Sequence, residues 1–232
     1  MECNLINEYI HKCHEAAKKE YNWASLPSDI CPHCKEGKEG TSCTCEDFIA
    51  RRNAWIADKI DDIAGCGYKA SLAARDGKFC TISNSPVTRG NYMPDTSKFN
   101  EGIRFQLFQE QVKGHFPDEI TNIFIQTCDL MGFYNCPLFE GSFRSLEDCK
   151  QGTTEEIVRG IRFLAINFST NEFENRTEDE MSYAILMSQV FTDILVGCVA
   201  IAELEDFDLE WHINAKLAYN SCPQWMTPTM NF

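Results

Sequence analysis

The stretch "YAILMSQVFTDILVGCVAIA", residues 183–202, constrains the fold more than any other part of the chain. Written on a helix, Ala184, Ile185, Leu186, Met187, Val190, Phe191, Ile194, Leu195, Val196, Val199 and Ile201 leave no side polar. A surface helix keeps a polar face, so a helix apolar all round belongs at the centre of a fold. Asp193 is the one acid in it. An ionised carboxylate in such surroundings is costly unless it is paired or holds a metal. The chain then rises to Glu203, turns at "EDFD" and offers Asp208 as the N-cap of "LEWHINAKLAYN". From Asp193 to the turn is roughly 15 Å of helical rise, and from Asp208 back to Lys216 about 12 Å. If the two helices run in opposite directions, Lys216 and Asn220 return to the level of Asp193. One reading is a buried Asp–Lys pair that fixes helix register. The other is a polar pocket in which an acid holds a cation while Lys216 and Asn220 hold a phosphate.

The rest of the chain reads as helices around that centre. Helical periodicity covers 4–23, where Leu5, Tyr9, Cys13 and Ala16 share a face. A second helical region follows at 48–79, with an interruption expected at Gly65 and Gly67, and 80–98 is loop-like. Further helical patterns lie at 99–113, 117–133, 154–171, 178–204 and 208–220. Strict alternation is scarce, so the expected fold class is mainly α, an antiparallel helical bundle with short links. The expected organisation is an N-terminal helix at 1–27, a Cys-rich insert at 28–48 and a helical core at 49–232. Within that core "GIRF" occurs at 102–105 and again at 160–163, each time followed by a loop and a long apolar helix. The echo reads either as a duplicated pair, with repeats at about 99–135 and 157–205, or as two amphipathic helices that look alike. On the 117–133 helix, Glu119, Asn122, Gln126 and Asp129 share one stripe, which reads as a solvated face.

Charge narrows the partners. The 232 residues carry a net charge of −14 and are 44% apolar. A nucleic-acid footprint is basic, and so is a surface that binds anionic membranes. Neither partner is expected here. The start, "MECNLINEYIHKCHEAAKK", has acids and no apolar signal core. The longest uninterrupted apolar run, "ILVGCVAIA", is too short to span a bilayer. The expected location is the cytoplasm, where the thirteen cysteines stay mostly reduced.

Cys31-Pro-His-Cys34 and Cys43-Thr-Cys45 form a C-x2-C-x8-C-x-C pattern in a Gly/Lys-rich stretch. Zinc takes four soft ligands in a tetrahedron, and two close thiolate pairs across a reversing loop supply them. Four thiolates leave no open position, so a zinc ion on Cys31, Cys34, Cys43 and Cys45 would be structural. His33, Cys13 or His14 is an alternative fourth ligand. A redox Cys-x-x-Cys is the competing reading, although the strand-to-helix setting it needs is missing.

The elements taken together resemble the all-α nucleoside triphosphate pyrophosphohydrolase superfamily, the MazG-like and dimeric dUTPase-like proteins. "TDILVGCVAIAELEDFDLEWHINAKLAYN" is similar to that family's last two elements, including the acidic turn and the final-helix Lys with Asn four residues on. "DEITNIFIQTCDLMGF" resembles its Glu-x-x-Asp helix, and "INEYIHKCHEAAKKEYNW" its first helix. The resemblance implies Mg²⁺-dependent hydrolysis of a nucleoside triphosphate to monophosphate and pyrophosphate, often by a homodimer. It assigns Glu110, Glu119 and Asp193 to Mg²⁺ and Lys216, Asn220 and Asn122 to the substrate. Val190 and Asn122 stand where the family carries acids. The alternative is therefore a non-catalytic, zinc-stabilised nucleotide-binding or scaffold protein of the same fold.

Protein purified without chelator is expected to contain zinc by elemental analysis. Cys34→Ser should release it and loosen 28–48 before the helical core, as read by limited proteolysis; a metal-free wild type would remove the assignment.

Overall fold

The computed structural model describes residues 3–19, 46–79, 108–136, 138, 145–172 and 180–221. Cys31, Cys34, Cys43 and Cys45 lie outside these residues, as does the loop at 80–98. Every regular element among the described residues is helical, and no strand occurs among them. The elements are α1 (Cys3–Lys19), α2 (Glu46–Arg75), α3 (Phe116–Phe133), α4 (Leu146–Lys150), α5 (Thr154–Glu172), α6 (Glu180–Leu204) and α7 (Leu209–Asn220). A single helical turn at 108–111 precedes α3.

Local chemistry sets several of the boundaries. Asp208 caps α7 as expected, its carboxylate accepting from the Trp211 N–H at 3.0 Å. Thr153 and Glu156 exchange side-chain and backbone hydrogen bonds at the start of α5. Ser145 and Asp148 do the same at α4, a five-residue helix too short for periodicity to reveal. α2, by contrast, runs unbroken through Gly65 and Gly67, where an interruption was expected. A glycine costs a helix only about 1 kcal/mol relative to alanine, which packing along a long helix outweighs. Gly67 has a packing role instead: a Cβ there would stand 2.5 Å from Cγ of Arg162 on α5.

α3 occupies the centre, packed on α1, α2, α6 and α7. Phe116, Ile120, Ile123, Phe124, Cys128, Leu130 and Met131 on it are fully buried. α6 packs on α3, α4 and α5, so the two long apolar helices of the sequence echo are neighbours in one core. Residues 185–204 of α6 form a helix long and apolar enough to cross a membrane, and 78% of that span is buried inside the fold. The length of the unbroken apolar run understated this helix, because Ser188 and Thr192 interrupt the run while being buried themselves.

The polar stripe on α3 is the main departure from expectation. Asp129 is 0% exposed and Glu119 7%, so the two acids of the stripe do not face water, while Asn122 and Gln126 are half-buried. Its inner end is held by a polar cluster from three helices. His14 of α1 lies with Nδ1 3.0 Å from Asp129 Oδ1. Lys59 of α2 places Nζ 2.9 Å from Asp129 Oδ2 and donates to Gln126 Oε1 at 2.7 Å. The Lys59 ammonium also lies 5.5 Å from the centre of the Trp55 ring. α1 reaches this position because residue 132 is glycine: a Cβ there would come within 2.4 Å of the His14 Cβ.

Two outcomes follow for chemical denaturation. Asp129→Asn leaves the Lys59 ammonium buried without its carboxylate and is expected to cost about 3–5 kcal/mol. Gly132→Ala is expected to cost about 1–3 kcal/mol by forcing α1 off α3; an unchanged midpoint would mean that His14 can move aside freely.

Candidate functional site

The second polar cluster lies at the opposite end of α3. The chain enters this helix through a turn in which Gly114 adopts φ 77°, a left-handed conformation that suits glycine. The turn aims the Gly114 N–H at Asp118 Oδ2, 2.9 Å away. Pro117 fits the first turn of a helix, where no N–H is needed, and Asp118 and Glu119 suit the positive end of the helix dipole. The Phe116 N–H bonds to the Lys78 carbonyl at 2.9 Å, which fixes the start of α3 against the end of α2.

Lys216 of α7 reaches this point. Its Nζ donates to Asp118 Oδ1 at 2.9 Å, with Lys216 8% and Asp118 2% exposed. The carboxylate that the Lys216 ion pair uses is therefore Asp118 and not Asp193, the acid expected there. Asp193 is buried in the middle of α6, as its setting required. Glu110 stands exposed on the helical turn before α3. Asn220 is half-buried one turn beyond Lys216. Among the described residues no group of three or more His, Cys, Asp or Glu side chains is placed to hold one metal ion. Glu110, Glu119 and Asp193 are thus not gathered around a single point.

Glu119 is the chemically distinctive group. Its Oε2 is buried and has no hydrogen-bond partner. Burial, and then the adjacent Asp118 charge, push its carboxyl above the ordinary carboxylate range; Lys69, a hydrogen bond from Asn122 and Lys216 pull the other way. Cys66 of α2 shares this environment. Burial and the Glu119 charge push its thiol up to about 12, so it stays protonated and is no nucleophile. Asp62 and Lys69 of α2 act on the same thiol. The cluster thus combines a buried ammonium, a buried carboxylate oxygen with unused acceptor capacity, and further charges from α2.

A small aromatic cluster adjoins it. Phe108, Val112, Trp211 and Ala215 pack together with Tyr219 against them. The Phe108 and Tyr219 rings stack at 4.5 Å. The Lys216 ammonium lies 5.6 Å from the Phe108 ring centre and 5.9 Å from that of Tyr219. The motif "PDE" at 117–119 was a readable signal for Asp118, since acids after a proline mark a helix start. Lys69 and Asp62 carried no such signal on a helix rich in charge.

The raised Glu119 carboxyl has a direct consequence for stability. The folded chain holds this proton more tightly than the unfolded chain, whose carboxyl titrates near 4.5. The penalty is absent below that range, grows as pH rises through the folded value and is constant above it. Glu119→Gln should raise the melting temperature at neutral pH, with the gain vanishing under acid conditions. An equal gain at both would exclude the buried charge as its cause.

No protein-family model, no curated protein and no solved structure matches this chain.

Proposed function

We propose that the chain is a MazG-like, Mg²⁺-dependent nucleoside triphosphate pyrophosphohydrolase, with its phosphate site at the Lys216–Asp118–Glu119 cluster. The observation that carries the reading is the buried Lys216 ammonium beside a buried Glu119 oxygen with no hydrogen-bond partner. A desolvated ammonium at a helix N-terminus attracts a phosphate oxygen, and the adjacent dipole favours the same charge. The resemblance of "DFDLEWHINAKLAYN" to the family's final helix points to the same lysine, with Asn220 and Asn122 as further substrate contacts. In this reading the fold is an antiparallel, internally duplicated bundle with a zinc-bearing insert. The protein acts in the cytoplasm as a homodimer.

The cluster suits a magnesium ion that arrives with its substrate. Mg²⁺ commonly takes one or two carboxylates and completes its octahedron with phosphate oxygens and water. Glu119 Oε2 has acceptor capacity for this role, whereas both Asp118 oxygens are engaged, by Lys216 and the Gly114 N–H. When bound, Mg²⁺ neutralises charge on the phosphates. Lys216 then holds the triphosphate in place, and Asp118 orients Lys216. Water attacks the α-phosphorus, the bond from that phosphorus to the bridging oxygen breaks, and pyrophosphate leaves with that oxygen. The proton that the water gives up passes to solvent, because in this reading Glu119 is engaged as the metal ligand.

A second reading, binding of the triphosphate without hydrolysis, is favoured by one observation: the described residues hold no cluster of three or more metal-ligating side chains. Pyrophosphate release from a panel of NTPs and dNTPs with Mg²⁺ separates the two. Release that Lys216→Met abolishes supports the enzyme. Tight binding with no release supports the second reading, and neither binding nor release overturns both.

A further inference from the structure

Three cysteines that the phosphate site does not use meet in the core. Cys13 of α1, Cys128 of α3 and Cys198 of α6 are each 0% exposed and carry free thiols. The Cys13 and Cys128 side chains are hydrogen-bonded to each other, so the two sulfurs are in contact across the α1–α3 interface. Cys198 acts on the Cys128 thiol through its charge alone. Direct contact therefore sets one pair apart from the third thiol.

The backbone supports the same pairing. Cys128 and Gly132 lie one turn apart on one face of α3, and Cys13 is next to His14 on α1. A Cβ on Gly132 would come within 2.4 Å of the His14 Cβ, so the two helices make a close approach at this turn. Packed helices have axes about 8–10 Å apart and Cα atoms about 2.3 Å from each axis, which leaves facing Cα atoms about 3.5–5.5 Å apart. A disulfide joins Cα atoms about 4.4–6.8 Å apart. A close approach at this turn therefore suits a disulfide without parting the helices.

α1 is also the helix with the least to hold it. It packs chiefly on α3, whereas α3 packs on α1, α2, α6 and α7. Beyond that packing, α1 is tied by His14 to Asp129 and by Tyr9 to Asn214 of α7 at 2.8 Å. Local opening takes the elements with the fewest buried contacts first. While α1 is docked the pair is protected. Burial, and then the contact with Cys13, hold the Cys128 thiol well above the ordinary thiol range, and a protonated thiol is no nucleophile.

We propose that Cys13 and Cys128 are a redox lock, which a disulfide oxidant closes by joining them in a bridge that fixes α1 to α3. Opening of α1 admits the oxidant, and redocking sets the two sulfurs side by side. With glutathione disulfide, the thiolate of one cysteine attacks an oxidant sulfur, breaks its S–S bond and releases one glutathione thiolate. The thiolate of the other cysteine then attacks the protein sulfur of the mixed disulfide and releases the second glutathione. The protein dithiol loses two electrons, the oxidant becomes two glutathione thiols, and the two cysteine protons pass to them. The closed bridge keeps α1 docked beside the Asp129 cluster. The lock is independent of the phosphate site proposed above.

The test brings the full-length protein to equilibrium in glutathione buffers of graded reduced-to-oxidised ratio. Samples are acid-quenched, alkylated under denaturing conditions and mapped by mass spectrometry. The expected result is a peptide pair that joins Cys13 to Cys128 and is released by dithiothreitol. Oxidation should slow amide exchange across α1 by about tenfold or more and raise the melting temperature. Cys128→Ala should lose the bridge and both effects, whereas Cys136→Ala, at a buried cysteine outside the pair, should keep them. The wild-type map decides the pairing even where a variant does not fold. Free Cys13 and Cys128 thiols at every ratio, or a bridge from Cys128 to Cys198, would overturn the lock. So would a Cys13–Cys128 bridge that leaves exchange in α1 unchanged.

Discussion

The fully buried Asp129 carboxylate is the interaction on which the rest of the arrangement depends. Removing a carboxylate from water costs several kcal/mol, and only close, well-placed partners offset it. Here one partner comes from α1 and one from α2, while the acid itself sits on α3. The three helices are therefore fixed in rotation as well as in height. Apolar packing alone tolerates sliding, because one leucine is much like the next. The Lys59–Asp129 ion pair together with the His14 contact to the same carboxylate has one good geometry. Gly132 belongs to the same constraint, since it lets His14 approach the helix closely enough to reach the acid.

With α2 and α3 locked at that end, their other ends are held in turn by the bond from the Phe116 N–H to the Lys78 carbonyl. This is where Lys216, Asp118 and Glu119 meet. The same helix thus has a closed polar cluster at one end and an incomplete one at the other. At the closed end Asp129 Oδ1 meets His14, and Oδ2, though without a hydrogen bond, lies 2.9 Å from the Lys59 ammonium. At the incomplete end Glu119 keeps a buried oxygen with no hydrogen bond, and its proton affinity rises accordingly. Unsatisfied buried polar atoms cost stability, and a ligand that satisfies them regains it.

Much of the fold was legible in the sequence, and the parts that were not fail for identifiable reasons. The helical character, the cap at Asp208 and the burial of 191–195 and 197–202 follow from periodicity and turn chemistry, whereas Ile185 and Leu186, expected in the core, stand 45% and 46% exposed where the helix runs past its neighbours. The adjacency of the two long apolar helices was also legible, from the repeated "GIRF". Lys216 was marked as a buried cation, but its partner was sought at Asp193 rather than Asp118. Helical rise fixes a residue's height along the axis and says nothing about which neighbouring helix its side chain faces. The stripe Glu119–Asp129 read as solvated because a charged face usually is. Its burial depends on Lys59, and nothing in the letters "ADKIDD" distinguishes a lysine that will be buried from its exposed neighbours. The short α4 carries its signal in two residues, Ser145 and Asp148, which is less than any periodicity can register.

Asp193 has a consequence outside the folded core. The segment from Ile185 to Leu204 has the length and hydropathy of a membrane-crossing helix before its partners assemble around it. Asp193 falls near the middle of that segment, where an aspartate raises the free energy of bilayer insertion by about 2.5–3.5 kcal/mol. The same carboxylate that must be accommodated within the protein thus also raises the cost of placing this segment in lipid. One side chain therefore weighs on two different burials of the same helix, one in protein and one in lipid.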